Sequence, residues 1–430
     1  MTARRLLTLV ILLSASAAIS FAMRSTEQEL ASELTARPNQ SLPVETKLDG
    51  RAGRPLALEN FRPRSMLQVA AHDTPRAKFP VVDVHTHPQV RLEKPAVDAA
   101  GNPRLATVAP QAIDDFVRLM DEQNIAVCIS LDGGLGAKLE DHQRLLWSKH
   151  RDRFLIFANI DFKGSGQQDK PVTWDCNQPG FVERTVEQLR AAHASGVSGL
   201  KFFKEFGLGV RNADGSLAAI DDPKWDPIWD VCTKLKLVVL IHAADPVVFF
   251  EPIDAVNERW EELRRHPDWS FHGPQWPSHR VLLEALLRVV KKHRQLSFIA
   301  AHVANNPEDL ATVGYWLDEN PNLNVEIAAR IAELGRQPYT SRAFLIKYAD
   351  RILFGTDGPR TAERLKLHWR FLETQDEYFP YAENSFPPQG FWRIYGIGLP
   401  EEVLRKVYFE NARRLIPGVE ERWSNVTKLP

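Results

Sequence analysis

From residue 80 onward, short runs of apolar and β-branched residues alternate with longer segments whose apolar positions recur at helical spacing. The short runs are "PVVDVHTH" (80–87), "AVCISLDG" (126–133), "FLIFANID" (154–161), "GLKFFKEF" (199–206), "LVVLIHAADP" (237–246), "SFIAAHVAN" (297–305), "LNVEIAAR" (323–330) and "ILFGTDGP" (352–359). Each is almost continuously apolar and turns polar at its C-terminal end, as strands do when both faces of a parallel sheet are covered. Helical segments are predicted over 110–123, 139–150, 180–195, 224–236, 279–294, 307–320, 341–349 and 401–416. Eight strand-helix repeats make the fold class α/β, a (β/α)8 TIM-type barrel. An open doubly wound sheet is the alternative, but no Gly-x-Gly-x-x-Gly follows the first strand, and the Gly-rich "DGGLGAK" (132–138) reads as a plain turn.

Two connections on the C-terminal side are long and rich in aromatic residues: 247–278 after strand five and 358–400 after strand eight. Leaving the same face of a barrel, they are expected to wall and roof a pocket. Residues 23–79 lack sustained periodicity and read as a tail that becomes ordered towards the barrel; 417–430 reads as a C-terminal tail. At the start, Arg4 and Arg5 precede the apolar run Leu6–Leu13 and the small residues up to Ala22. That order is expected of a secretory signal peptide, 1–22, cleaved after Ala17 or Ala22, with a retained anchor as the alternative, and it is expected to place the mature chain in the periplasm or outside the cell.

Composition narrows the picture further. An apolar content of 44%, a charged content of 25% and a net charge of −1 over 430 residues are those of a globular protein, and give no electrostatic reason for nucleic acid or a membrane as partner. A small molecule is the expected partner, and a homo-oligomer is left open. Of three cysteines, Cys128 and Cys232 read as packed hydrophobes, and no disulfide framework is expected.

The candidate chemistry lies at the strand ends. His85 and His87 close strand one, His242 strand five, His302 strand six and Asp357 strand eight. The period-two geometry of a strand turns both imidazoles of His-x-His to one side, into the barrel mouth. A single such residue is more often structural, and Asp357 alone could cap a helix. The ordered set is what calls for a central cation. The other nine histidines, among them His72, His142, His193 and His293, are expected to be solvated.

The motifs "DVHTH", "GLKFFK", "LIHAADP", "AAHVANNP" and "LFGTDGP", spread over about residues 60–416, resemble the amidohydrolase superfamily, in the branch called amidohydrolase family 2. The resemblance implies that His85, His87, His242 and Asp357 hold a divalent metal, commonly zinc, with manganese or iron suiting the same ligands. It implies a catalytic Asp357 and a polarising, proton-transferring or ligating His302. Some members bridge two metals through a carbamylated lysine on strand four, where Lys201 and Lys204 stand; "GLKFFKEF" looks more like the single-metal branch. Arg330, Lys201, Lys204 and Glu205 are the candidates for substrate contact, an ion pair being the structural reading of Glu205, Glu326 and Arg330. The activity so implied is metal-dependent hydrolysis of an amide, ester, lactone or related bond; the leader makes export of the enzyme the expectation. The alternatives are non-oxidative decarboxylation of an aromatic or unsaturated acid and, from another class, secreted ligand binding without turnover.

Overall fold

The computed structural model describes Leu56 and residues 63–88, 110–358, 361–383 and 389–427. The expected leader, 1–22, lies outside the described residues. Two compact units are separated at Ser65 and Met66. Of the first, Leu56, Pro63, Arg64 and Ser65 are described, all exposed and in no regular element. The second holds everything else.

Its centre is a parallel eight-stranded sheet in sequential order: β1 (Val81–Thr86), β2 (Ile125–Ser130), β3 (Phe154–Asn159), β4 (Gly199–Phe202), β5 (Val238–Ile241), β6 (Phe298–Ala300), β7 (Leu323–Glu326) and β8 (Ile352–Leu353). β8 returns to β1: Val84 N donates to Phe354 O at 3.0 Å, Asp357 N to His85 O at 2.9 Å, and Thr86 forms a parallel bridge with Gly358. These bonds close the sheet into a (β/α)8 barrel. The strands are shorter than their apolar runs suggest. The polar ends "HAADP", "HVAN" and "TDG" fall beyond β5, β6 and β8, in the connections of the C-terminal face.

Each strand is followed by a helix: α1 (Pro110–Glu122), α2 (Ala137–His150), α3 (Phe181–Ala194), α4 (Asp226–Leu235), α5 (His279–Lys292), α6 (Leu310–Glu319), α7 (Pro338–Lys347) and α8 (Ala362–Glu373). In α5, Ser278 caps the start by accepting from Val281 N, and Lys291 and Lys292 stand in the last turn where the helix dipole favours cations. Leu282, Leu286, Val289 and Val290 bury its inner stripe against the sheet, each contributing about 1.5–3 kcal/mol.

α8 corrects the sequence reading, which treated 358–400 as one long connection and took 401–416 as the eighth helix. Residues 362–373 form the helix themselves, burying Leu365, His368, Trp369, Phe371 and Leu372. The run 401–415 is an additional piece, broken by a π turn at Lys406–Glu410 whose Val407 carbonyl accepts from Phe354 N at 3.0 Å. The segment read as a C-terminal tail carries a further helix, α9 (Val419–Thr427), with Trp423 stacked 4.6 Å from Phe409.

Above the C-terminal face the long connections meet. After β5, Phe250, Phe271 and Trp276 pack on one another; after β8, Tyr381 stacks on Trp392. Arg336, following β7, joins the two sides, pairing with Glu258 at 2.7 Å while its guanidinium lies 4.3 Å from the Trp392 ring. A buried Arg259–Glu333 ion pair makes a second tie.

Three of the nine remaining histidines are not solvated. His142, His279 and His368 are buried, and each has found a partner that makes burial tolerable: Ser130 Oγ, Asn305 O and Arg364 O. Burial lowers the pKa of His142 and of His368 to about 4. In the unfolded chain both titrate near 6.5. Between the two values the unfolded state binds more protons, so the stability they contribute is complete above pH 6.5 and is lost as pH falls towards 4, by up to about 3 kcal/mol per group. Thermal melts across this range should show the midpoint falling with acid, and His368→Gln should flatten the slope.

Candidate metal centre

The site begins with Asp83, His85 and His87, which alternate inward along and just beyond β1. Asp83, fully buried with a pKa pushed up to about 7 by burial, accepts from Thr356 Oγ1 at 2.6 Å, from Thr356 N at 3.2 Å and from His85 N at 3.1 Å. Thr356 Oγ1 in turn accepts from Gly358 N at 3.1 Å. These bonds hold the chain after β8 in a tight turn with Asp357 at φ 57°, its amide bonded to His85. The carboxylate is thereby presented to the β1 histidines.

Both imidazoles are fixed by carboxylates on the far side of the ring. His87 Nδ1 lies 2.6 Å from Asp132 Oδ1 and His85 Nδ1 lies 2.9 Å from Glu326 Oε1. A carboxylate only accepts, so each Nδ1 carries the proton and each Nε2 keeps its lone pair. The two Nε2 atoms stand 3.5 Å (His87) and 3.7 Å (His85) from Asp357 Oδ1. Ligands on a tetrahedral zinc are about 3.3 Å apart, so the spacing fits a first-row divalent ion. His85, His302 and Glu326 also lie within reach of one another. Glu326, however, already accepts from the amides of His302 and Ala328 as well as from His85, which makes it an orienting group. The structure thus contains a buried His–His–carboxylate cluster suited to a single divalent ion.

His302 and His242 continue the row. The ring centroids of His85 and His302 are 4.8 Å apart and those of His302 and His242 4.4 Å. His302 Nδ1 donates to Ala328 O at 2.8 Å, so its Nε2 offers a lone pair. Burial, together with neighbouring His242 and Arg330, holds its pKa well below the usual value, and in this neutral form it can take a proton or ligate but cannot polarise a carbonyl by donating through Nε2. His242 Nε2 is buried and faces the carboxylate of Asp245, 3.4 Å from its Oδ1. It stands one ring away from the His85–His87–Asp357 cluster.

The substrate-contact candidates divide. Lys201, inside the barrel on β4, is 1% exposed; its Nζ has no hydrogen-bond partner, and burial lowers its pKa to about 8 against the pull of Glu326 and Asp357. Arg330 is buried with its Nε unpartnered. Lys204 is committed to Asp245 at 2.5 Å. Glu205, exposed, opens a short helix and lines, with Lys201, Phe162, Trp174 and Phe203, a cavity of about 320 Å³. A larger hollow of about 1040 Å³ at the ends of β2 and β3 shares Phe203 and reaches Asp132. Phe203, 5.8 Å from the His87 ring, thus borders both spaces and the metal cluster.

Sequence reasoning passed over Asp83 and Asp132. Asp132 sits at the polar end of an apolar run, the same signal that marked Asp357, but its Gly-rich surroundings favoured a turn. Because it and Glu326 orient the two β1 imidazoles, Asp132→Asn and Glu326→Gln should each weaken zinc binding by about 10–100-fold while the protein stays folded. Competition for zinc with a chromophoric chelator measures this.

Several solved structures are similar to this one at low identity. An uncharacterised TIM-barrel protein from Bordetella bronchiseptica is 14% identical, with TM-score 0.44 over 80% of this chain and 100% of that one. A 5-carboxyvanillate decarboxylase from Sphingomonas paucimobilis is 14% identical, with TM-score 0.43 over 79% and 99%. A zinc-bound amidohydrolase from Burkholderia multivorans is 13% identical, with TM-score 0.43 over 78% and 98%. No curated protein matches the chain. The family model for amidohydrolases matches residues 82–418, from β1 to the start of α9, and so spans every residue of the cluster. The chain belongs to the amidohydrolase family, and its barrel carries a metal-dependent active site of the amidohydrolase type.

Proposed function

We propose that the protein hydrolyses an amide, ester, lactone or related bond in a small molecule, with a divalent ion, zinc first among the alternatives, held by His85, His87, His242 and Asp357. The observation that carries this reading is the convergence of two oriented Nε2 lone pairs and the Asp357 carboxylate at the barrel mouth. When bound, the metal supplies Lewis acidity and a water nucleophile at neutral pH. The chain's own residues do the rest. Asp357 takes a proton at its carboxylate and returns it to the leaving group. The unpartnered donors, Lys201 Nζ and Arg330 Nε, meet negative charge on the substrate oxygen, a role that the bond from His302 Nδ1 to Ala328 denies to His302. His302 Nε2 is left to accept a proton.

Decarboxylation is the second reading, and Lys201 Nζ and Arg330 Nε, both without a hydrogen-bond partner, favour it, since each would match a substrate carboxylate. With the family and the metal cluster in place, binding without turnover is set aside. Export is part of the proposal and is supported by the order of Arg4–Arg5, the apolar run and the small residues up to Ala22.

Metal-loaded protein incubated with ester, lactone and amide panels in labelled water should place the heavy oxygen in the acid product; release of carbon dioxide from aromatic acids without label uptake would select the second reading. His302→Gln should lower turnover about 100-fold and leave metal content unchanged, whereas loss of the metal would make His302 a ligand. Mass spectrometry of protein recovered from the periplasm or medium should find the N-terminus at residue 18 or 23, and an intact residue 1 in the membrane fraction would show a retained anchor.

A further inference from the structure

After β6, four consecutive residues lie in the left-handed region: His302, Val303, Ala304 and Asn305, with φ of 58, 57, 55 and 55°. L-residues avoid this conformation because Cβ crowds the carbonyl oxygen, and a run of four without glycine persists only when its surroundings impose it. Within the turn, Asn305 N donates to Ala301 O at 3.0 Å. At its start, His302 N donates to Glu326 Oε1 at 2.7 Å. At its end stands Asn305, with no exposed surface. Its Oδ1 accepts from Ala243 N at 3.0 Å and from Ala244 N at 3.3 Å, and its main-chain oxygen accepts from His279 Nε2 at 2.8 Å.

Ala243 and Ala244 are the two residues that follow His242. One side-chain oxygen therefore fastens the backbone leaving β5 to the turn leaving β6, and the two imidazoles carried by those segments stand 4.4 Å apart. The two amides facing the side chain demand an oxygen there, which turns Nδ2 away, buried and without a partner. A residue chosen only for its tolerance of positive φ would not need that arrangement; glycine would do, without a stranded donor.

We propose that Asn305 is a positioning residue of the metal-dependent site: its side-chain oxygen sets the place of His242 relative to His302, and His279 braces it from behind. This deepens the functional reading and rests on it for its consequence, not for its geometry. Two substitutions separate the side chain from the backbone. Asn305→Gly keeps the left-handed conformation and removes the oxygen; Asn305→Asp keeps both.

In the full chain, hydrogen exchange at the amides of Ala243 and Ala244 should speed up about 10–100-fold in the glycine variant and stay near wild type in the aspartate variant. The imidazole signals of His242 and His302 should shift in the glycine variant alone, and its zinc affinity should fall about tenfold, as for the loss of other orienting groups. If the glycine variant does not fold, Asn305→Ser, too short to reach both amides, takes its place. Unchanged exchange in the glycine or serine variant would overturn the proposal. So would faster exchange with unshifted imidazoles and undiminished zinc affinity, or equal loss in the aspartate variant. Were the wild type to bind no zinc, the functional reading would fall, while exchange and imidazole signals would still decide the clamp.

Discussion

Everything at the barrel mouth depends on two hydrogen bonds made on the side of the rings that faces away from it: His87 Nδ1 to Asp132 and His85 Nδ1 to Glu326. A free imidazole can carry its proton on either nitrogen and turn about two bonds. A carboxylate behind the ring removes both freedoms, placing the proton on Nδ1 and the lone pair on Nε2, aimed at Asp357. Without those partners the three ligand atoms would be near one another but not ready, and a cation would have to order the rings as it bound.

The same economy of position recurs in the strained turns. Asp357 at φ 57° and the left-handed run His302–Asn305 occupy backbone conformations that cost about 1–2 kcal/mol per residue. They persist because Asp83 and Glu326, both buried, spend acceptors on the amides of these turns, while Asn305, itself in the second turn, ties it to the amides that follow β5. Buried polar groups that would destabilise an ordinary core here have donors to satisfy, and the result is that side chains from β1, β6 and β8 meet at distances the regular sheet would not provide.

The barrel was legible in the sequence because its signal is repeated: eight apolar runs, each followed by a helical pattern, leave few arrangements. The reading failed where a second signal overlaid the first. Helix α8 was hidden by the aromatic and charged residues that follow it, so the whole stretch passed for a loop. The extra helical piece at 401–415 has ordinary helical spacing and was mistaken for the barrel's last helix. In the site, His85, His87 and Asp357 announce themselves as polar residues at the ends of apolar runs. Asp83 and Asn305 do not. Asp83 lies inside an apolar run, and nothing in "HVANN" shows that the chain winds left-handed or that Asn305 reaches across to β5. Side chains that act on the backbone of another strand leave no local pattern. The buried His142, His279 and His368 escaped for the same reason, their partners being distant or main-chain atoms.

The central claim is that His85, His87 and Asp357 together form one metal site. Elemental analysis of the purified full chain, beside the double variant His87→Ala/Asp357→Ala, tests it most directly. The account requires close to one divalent ion per wild-type chain and essentially none in the folded double variant; an ion retained by the variant, or no ion in the wild type after zinc loading, would contradict it.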